Sequence, residues 1–289
     1  ILKNGQSVKP YMSKMGYKVD NYQIESLPLG GGIDPSVVQH TNGYQALLNG
    51  GQYEQYYVVD SIKDSNGKEI YKHQSQPVQV FSKATSSIMA ELLKGPIKSQ
   101  KTTTFYGQLS NLNPTLAGAD WVGKTGTSND FVDVWLMVGT PTVTLSSWVG
   151  HDNNTPMAAM TGYNNNSQYL AQMANSIYQA NPGVFGVEQR FSLDPSVTKS
   201  TVLVSTGEKP GAFTGGSYTN FTLSGPTTTS YWAKPEGAPT TQYKFAIGGS
   251  DSDYANDWTK ILGNNSGNNS GNNSSNNNDD ADKKKQSGN

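Results

Sequence analysis

The sequence predicts an α+β fold: an antiparallel sheet flanked by helices, incomplete as a domain, followed by a small C-terminal β domain. Three observations carry this expectation. Three segments place apolar residues at helical spacing and stop at Gly, Asn or Pro. The run from Trp121 to Gly150 reads as successive strands joined by short turns. Beyond about Phe191 the helical period is lost, and Thr, Ser, Gly and aromatic residues dominate.

Residues 1–32 read as loop and short elements ending in three glycines. The first helix is expected to start with Asp34 as N-cap and Pro35 at the first helical position. Val37, Val38, Thr41, Tyr44, Leu47 and Leu48 follow at helical spacing, and Gly50-Gly51 supplies a left-handed stop. Two strand-like runs, Tyr56 to Lys63 and Lys68 to Lys72, flank Asp64-Ser65-Asn66-Gly67, whose Asn-Gly is a strong hairpin-turn signal. A second helix is expected from Ser82 to Lys94, ended by Gly95-Pro96. Residues 97–120 look irregular and polar. Strands follow at Trp121 to Thr127, Phe131 to Val138 and Val143 to Gly150, and a third helix spans Ser167 to Asn181. The alternating runs Thr201 to Ser205 and Tyr243 to Ile247 belong to the small β domain. The expected division is therefore 1–192, 193–262 and a disordered tail at 263–289, where Asn-, Ser- and Gly-rich repeats cannot bury a core.

Composition narrows the function classes. The net charge of −1 sets up no strong field toward nucleic acid or an anionic membrane. No run approaches the roughly 18 apolar residues of a membrane span. Cysteine is absent, which excludes disulfides and thiolate metal sites and fits an extracytoplasmic protein. Charged residues make up only 15 % of the chain, which suits a secreted or surface β-rich protein. The chain starts at Ile1 without a signal segment and reads as a processed piece or fragment.

The stretch GADWVGKTGTSND, residues 118–130, has two chemically different readings. Gly118 to Thr125 fits the phosphate-loop pattern G-x-x-x-x-G-K-[ST], while Lys124, Thr125 and Gly126 spell K-T-G, a motif of serine-acylating enzymes. A phosphate loop needs a buried strand before it and a helix directly after its Lys-Thr. Here Asn113-Pro114 lies upstream, and Gly126-Thr127-Ser128-Asn129-Asp130 with a β-pattern lies downstream. No nucleotide is expected. A strand bordering a cleft, followed by an antiparallel partner, is what the K-T-G reading requires. Lys124 would supply positive charge and assist proton transfer, and the Thr125 and Thr127 hydroxyls would bind a carboxylate. Gly126 would let a substrate backbone approach the strand edge, and the Thr127 amide would serve as an oxyanion donor. Ser128 and Asn129 follow closely enough to face the cleft or simply to make a turn. A lone K-T-G also fits an ordinary edge-strand turn.

The context goes further. The stretches GGIDPSVVQHTNGYQALLNGG, residues 31–51, and Gly123 to Asp152 carry a resemblance, the second through Asp133, Trp135, Gly139-Thr140-Pro141 and Trp148-Val149-Gly150. Over about residues 10–190 the chain resembles the C-terminal part of the transpeptidase domain of class A penicillin-binding proteins. The Thr-rich segment looks like the small β module that some streptococcal members carry. The resemblance implies a penicillin-binding transpeptidase/β-lactamase-like fold and a D,D-transpeptidase acting through a serine acyl-enzyme on peptidoglycan stem peptides ending in D-Ala-D-Ala. It implies β-lactams as acylating inhibitors, no cofactor and no metal. It places Lys124 and Thr127 in catalysis, and Thr125, Gly126, Thr127, Ser128 and Asn129 at the substrate. It also implies a parent protein on the outer face of the cytoplasmic membrane or in the cell wall, anchored by an N-terminal segment, with an upstream half of the same protein as partner.

The family's S-x-x-K and S-x-N motifs have no convincing match. Ser65 to Lys68 lies in a hairpin turn, Ser196 to Lys199 follows K-T-G, and Ser266-Gly267-Asn268 falls in the tail. A serine activated by a lysine one turn away needs a helix start. The nucleophile is therefore expected upstream of Ile1, leaving this chain alone inactive and poorly stable. His40, His73 and His151 form no evident ligand set and are read as structural. Tyr231-Trp232 and Trp258 are read as packing residues, with glycan contact as the alternative. Two rival readings remain: a serine hydrolase of the β-lactamase type, and a non-catalytic glycan-binding module at 196–262.

Overall fold

The structure, a computed structural model, describes residues 5–210, 212–215, 218–222 and 225–240. Two compact units emerge from the contacts. The first runs to residue 201 and takes in residues 229–238; the second holds residues 202–228 and resumes at 239. Residues 193–201, expected in the β domain, thus pack with the first unit. The run Tyr243 to Ile247, Trp258 and the tail at 263–289 lie outside the described residues.

In the first unit, the short α1 (Lys9–Lys14) precedes α2 (Val37–Leu48). The cap of α2 is Ser36, not Asp34: Ser36 is extended, and its hydroxyl accepts the Gln39 N–H at 3.2 Å. Pro35 stands just before this cap, where its fixed φ suits an extended lead-in. Gly50 and Gly51 end the helix at φ +59° and +82°, and a Cβ on Gly51 would lie 2.1 Å from the Phe81 carbonyl oxygen. Strands β1 (Gln52–Tyr53) and β4 (Val78–Gln79) pair at the root of an arm. Its tip is the hairpin β2 (Ser61–Lys63) and β3 (Glu69–Lys72). Asp64 Oδ1 accepts the amides of Asn66 and Lys68, and Gly67 takes φ +80°, so the Asn-Gly turn forms as its chemistry dictates. The first strand begins at Ser61 rather than Tyr56.

Helix α3 (Lys83–Ser99) is capped by the Ser82 hydroxyl and contains Pro96. The expected stop at Gly95-Pro96 fails because Ile97, one residue on, is fully buried. That burial offsets the hydrogen bond that proline removes. The helix ends instead at Gln100, in the left-handed region at φ +51°. The span 97–120, expected to be irregular, contains α4 (Phe105–Leu112) and α5 (Pro114–Ala117). Asn113 caps α5 by accepting the Leu116 N–H at 3.0 Å, with Pro114 at the first position.

Strands β5 (Val122–Thr127), β6 (Asp133–Gly139) and β7 (Thr144–Gly150) form an antiparallel sheet with β6 in the centre. A π-helical turn (Thr161–Asn166) leads into α6 (Ser167–Ala180). Leu136 and Val138 point into the main core with Ile97, Phe105, Leu109, Leu116, Trp121, Leu170 and Phe185. The opposite face, carrying Trp135, Met137 and Gly139, lies under α2. There Thr41 hydrogen-bonds Ser146, and Leu48 would touch a Cβ on Gly139. The sheet is thus flanked by helices on both faces, as an α+β layer fold requires.

Strand β8 (Thr198–Leu203) pairs with β11 (Thr227–Trp232), and β9 (Ala212–Gly215) pairs with β10 (Tyr218–Thr222). In the second unit Val202 and Leu203 are buried, and the Val204 N–H donates to the Pro226 carbonyl at 2.9 Å. Among the described residues no helix is long and apolar enough to cross a membrane.

Candidate functional site

Strand β5 is the terminal strand of its sheet, and the motif lies along it. Its register pairs Lys124 with Met137, Thr125 with Leu136, Gly126 with Trp135 and Thr127 with Val134. Side chains alternate across a strand. Lys124 and Gly126 therefore share the face of Trp135, and Thr125 and Thr127 share the face of Leu136. The expected residues do not form one side-chain wall; they meet at the strand's outer edge.

The backbone decides what that edge presents. The Ser128 N–H donates to the Asp133 carbonyl at 3.0 Å, which sets the phase of the ladder. In an antiparallel pair, hydrogen-bonded and non-hydrogen-bonded partners alternate. Pairs 128/133, 126/135 and 124/137 are then the bonded ones. The N–H and C=O of Thr125 and Thr127 face away from β6, toward the outer edge. Lys124 joins them there: its ammonium donates to the Thr125 carbonyl at 2.5 Å. Lys124, Thr127, Ser128 and Asn129 are exposed, and Thr125 and Gly126 are half-buried. A row of outward amide and carbonyl groups beside an ammonium suits an extended anionic ligand that pairs with the edge.

Both ends of this strand are fastened. Before it, Asp120 is buried, and its Oδ2 accepts the Phe191 N–H at 2.9 Å and the Lys94 ammonium of α3 at 3.1 Å. Lys94 also reaches Glu91 at 2.9 Å. Burial alone would lower the Lys94 pKa, but the Glu91 and Asp120 bonds outweigh it and hold the ammonium above its ordinary value. Trp121 Nε1 donates to the Leu116 carbonyl at 2.8 Å. At the far end, Ser128 turns back onto Asp133: its hydroxyl donates to Asp133 Oδ2 at 3.2 Å and accepts the Asp133 N–H at 2.7 Å. The other carboxylate oxygen of Asp133 accepts Trp148 Nε1 at 3.0 Å, tying the turn to β7. Asn129 opens the short 3₁₀ turn Asn129–Phe131, whose Asp130 and Phe131 both take φ +57°.

On the Gly126 face, the ring of Trp135 meets His40 of α2 edge-on at 5.1 Å, and the Tyr17 hydroxyl lies 2.9 Å from His40 Nδ1. Burial pushes the His40 imidazole below its ordinary value. On the other face, Gly162 of the π-helical turn sits against Val134 and near Thr127, where a Cβ would lie 2.4 Å from Val134 Cγ1. No local sequence pattern marks Gly162, Asp120 or Lys94 as supports of the motif. Only contacts distant in sequence bring them to it.

The S-x-x-K matches are not built as nucleophile pairs. Ser65 stands in the hairpin turn, and the Ser196 hydroxyl donates to Asp194 Oδ1 in a turn before β8. The phosphate-loop alternative fails on geometry, because a strand and not a helix follows Lys124-Thr125. Among the described residues no group of three His, Cys, Asp or Glu is placed to hold a metal. His73 instead pairs with Glu54 at 3.1 Å. Trp232 lies half-buried in β11.

Residues 5–182 match the family model described as penicillin binding protein transpeptidase domain. Among curated relatives, penicillin-binding protein 4 of Bacillus subtilis is 32% identical over 140 residues, covering 47% of this chain and 21% of that protein. Penicillin-binding protein 2a of Streptococcus pneumoniae is 28% identical over 200 residues, covering 64% of this chain and 25% of that protein. The chain thus spans about a fifth to a quarter of the length of these relatives. The crystal structure of penicillin-binding protein 1A from Haemophilus influenzae superposes with a TM-score of 0.58 at 17% identity, over 83% of this chain and 37% of that one. At that identity the likeness speaks for the fold.

Proposed function

Because this chain belongs to the penicillin-binding protein transpeptidase family, we propose that it contributes the substrate-binding edge of a class A serine D,D-transpeptidase that cross-links peptidoglycan. One observation carries the reading: the outer edge of β5 brings the Thr127 N–H, the Thr125 C=O and the Lys124 ammonium together. A stem peptide ending in D-Ala-D-Ala would lie along this edge as an added strand. Its terminal carboxylate would be held by the charge of Lys124 and the hydroxyls of Thr125 and Thr127. Gly126, which has no side chain, admits the peptide backbone, and Ser128 and Asn129 border its end.

The chemistry is acyl transfer. A serine oxygen adds to the carbonyl of the penultimate D-Ala as a lysine takes its proton. The oxyanion that forms is met by the Thr127 N–H, a preorganised donor that needs no reorientation. The peptide bond then breaks, and the terminal D-Ala leaves as an amine carrying the proton. A second stem peptide's amine attacks the acyl-enzyme and restores the serine. A β-lactam opens its ring amide on the same serine and stays attached. The reading draws the serine, its lysine base and the S-x-N motif from sequence outside this chain. It also places the longer protein on the outer face of the cytoplasmic membrane, anchored through such a segment.

Intact mass after incubation with benzylpenicillin tests this. The longer protein gains one acyl adduct that persists, while this chain alone keeps its own mass. An adduct on Ser65 or Ser196 overturns the placement of the nucleophile, and rapid loss of the adduct favours a β-lactamase-type hydrolase. In the longer protein, Thr125→Ala with Thr127→Ala slows acylation about 10²-fold. An unchanged rate removes the carboxylate role from both hydroxyls.

A further inference from the structure

The arm between Tyr53 and Val80 stands apart from the core. None of residues 55–79 is buried, yet the arm carries Tyr56, Tyr57, Val58, Val59, Ile62, Ile70 and Tyr71 at its surface. A two-stranded hairpin is marginal by itself, and exposed apolar side chains add nothing to its stability. One of them is nonetheless held in a fixed attitude. The Tyr57 ring stacks on His73 with centroids 3.6 Å apart and planes 16° from parallel. His73 is fixed in turn: its Nε2 lies 3.1 Å from Glu54 Oε1, and Glu54 Oε2 accepts the Ser75 hydroxyl at 2.9 Å. The chain Ser75–Glu54–His73–Tyr57 covers one face of the phenol and leaves Tyr57 49% exposed.

We propose that Tyr57, backed by His73, is a saccharide-stacking platform that binds a neutral pyranose ring. The flat C–H face of such a ring carries slight positive charge and meets the negative face of an aromatic ring. Preorganisation of the tyrosine removes the ordering cost that binding would otherwise incur. The hydroxyl and acetamido rim of a sugar needs planar polar partners, and the exposed amides of Gln74 and Gln76 lie in the same arm. Glu54 is engaged by His73 and Ser75, Lys72 pairs with Asp60 at 2.5 Å, and Lys63 and Lys68 are equalled in number by Asp64 and Glu69. Little net field remains to select a phosphate or a polyanion. That the saccharide belongs to the glycan strand bearing the stem peptides rests on the transpeptidase reading above; the platform itself does not.

Titration calorimetry of the 289-residue chain with the β-1,4-linked tetramer of N-acetylglucosamine tests the platform. The expected result is saturable binding that Tyr57→Ala weakens about tenfold. Tyr57→Trp retains it, Tyr57→Leu loses it as Ala does, and Tyr169→Ala, an exposed tyrosine on α6, leaves it unchanged. Absence of saturable binding overturns the proposal. So does equal binding by Tyr57→Leu, which would mean unspecific apolar contact, or an equal loss in Tyr169→Ala. Benzylpenicillin acylation of the longer protein carrying Tyr57→Ala separates the two readings. Normal acylation with lost sugar binding supports the platform. Sugar binding without any acylation of the unsubstituted protein sinks the transpeptidase reading and leaves the platform standing.

Discussion

At its N-terminal end β5 is part of the core: Val122 is 0% exposed, and the Asp120–Lys94 pair and Trp121 anchor the chain just before it. At its C-terminal end the strand and the turn after it are exposed from Thr127 through Asp130, and hydrogen bonds through Ser128, Asp133 and Trp148 fasten the turn. The two fastenings differ in kind. Burial fixes the register of the strand, because a slip would drive core residues into solvent. The polar latch at the far end leaves the motif's edge accessible while restricting where its amides point. The binding role proposed for β5 would need both, since a wholly buried edge could not receive a ligand and a loose one could not orient it.

The largest effect should come from cutting the buried fastening. Asp120→Ala leaves Lys94 with Glu91 alone and the Phe191 N–H without its acceptor. Removing one partner of a buried pair strands the other, so a loss of about 3 kcal/mol in unfolding free energy is expected. Urea denaturation of the variant beside the unsubstituted chain reads it. A change below about 0.5 kcal/mol, the range of an ordinary surface substitution, would mean that burial of Val122 and Trp121 holds this end unaided.

This fastening was not legible in the sequence, and the reason is physical. Lys94 and Asp120 are distant in the chain, and no local pattern marks a long-range ion pair. Helices α2, α3 and α6 were legible because their apolar positions recur at helical spacing, and the Asn66-Gly67 turn was legible because its backbone needs a left-handed glycine. Helices α4 and α5 escaped because both are short and α4 carries Gln, Ser and Asn between its few buried residues, although Asn113-Pro114 did hold a cap signal. Pro96 misled because tertiary burial of Ile97 outweighs local propensity. At the candidate site, the strand that carries Lys124 to Thr127 was legible from its β-pattern, and K-T-G is what singles out Lys124 to Asn129 for the proposed role. Their division between two faces, and the outward direction of the Thr125 and Thr127 amides, follow only from the register with β6.

A smaller effect on stability, with a larger one on binding, is expected at the polar latch. Asp133→Ala removes the acceptor of both Ser128 Oγ and Trp148 Nε1, two bonds at a half-exposed position. About 1–2 kcal/mol of stability should be lost. Benzylpenicillin acylation of the longer protein should fall further than stability does, because the latch orients the turn that follows Thr127. Acylation that tracks the stability loss alone would make the latch a structural feature and not a positioning one.

The smallest effect lies between the two ends, where His40 packs on Trp135, the partner of Gly126. Burial holds the folded His40 pKa below its ordinary value of 6.5. The unfolded chain therefore binds the proton first as the pH falls. Its contribution is present above 6.5 and is lost as the pH drops through that value toward the folded pKa, so stability declines on acidification in that window. Tyr17 and Tyr44, which face the imidazole, stay protonated there, because burial raises both phenols further. Unfolding midpoints measured from pH 7.5 down to 5 should show this slope in the unsubstituted chain. His40→Gln, which cannot titrate, should flatten it. An identical slope in that variant would assign the pH dependence to the exposed carboxylates and leave His40 as packing alone.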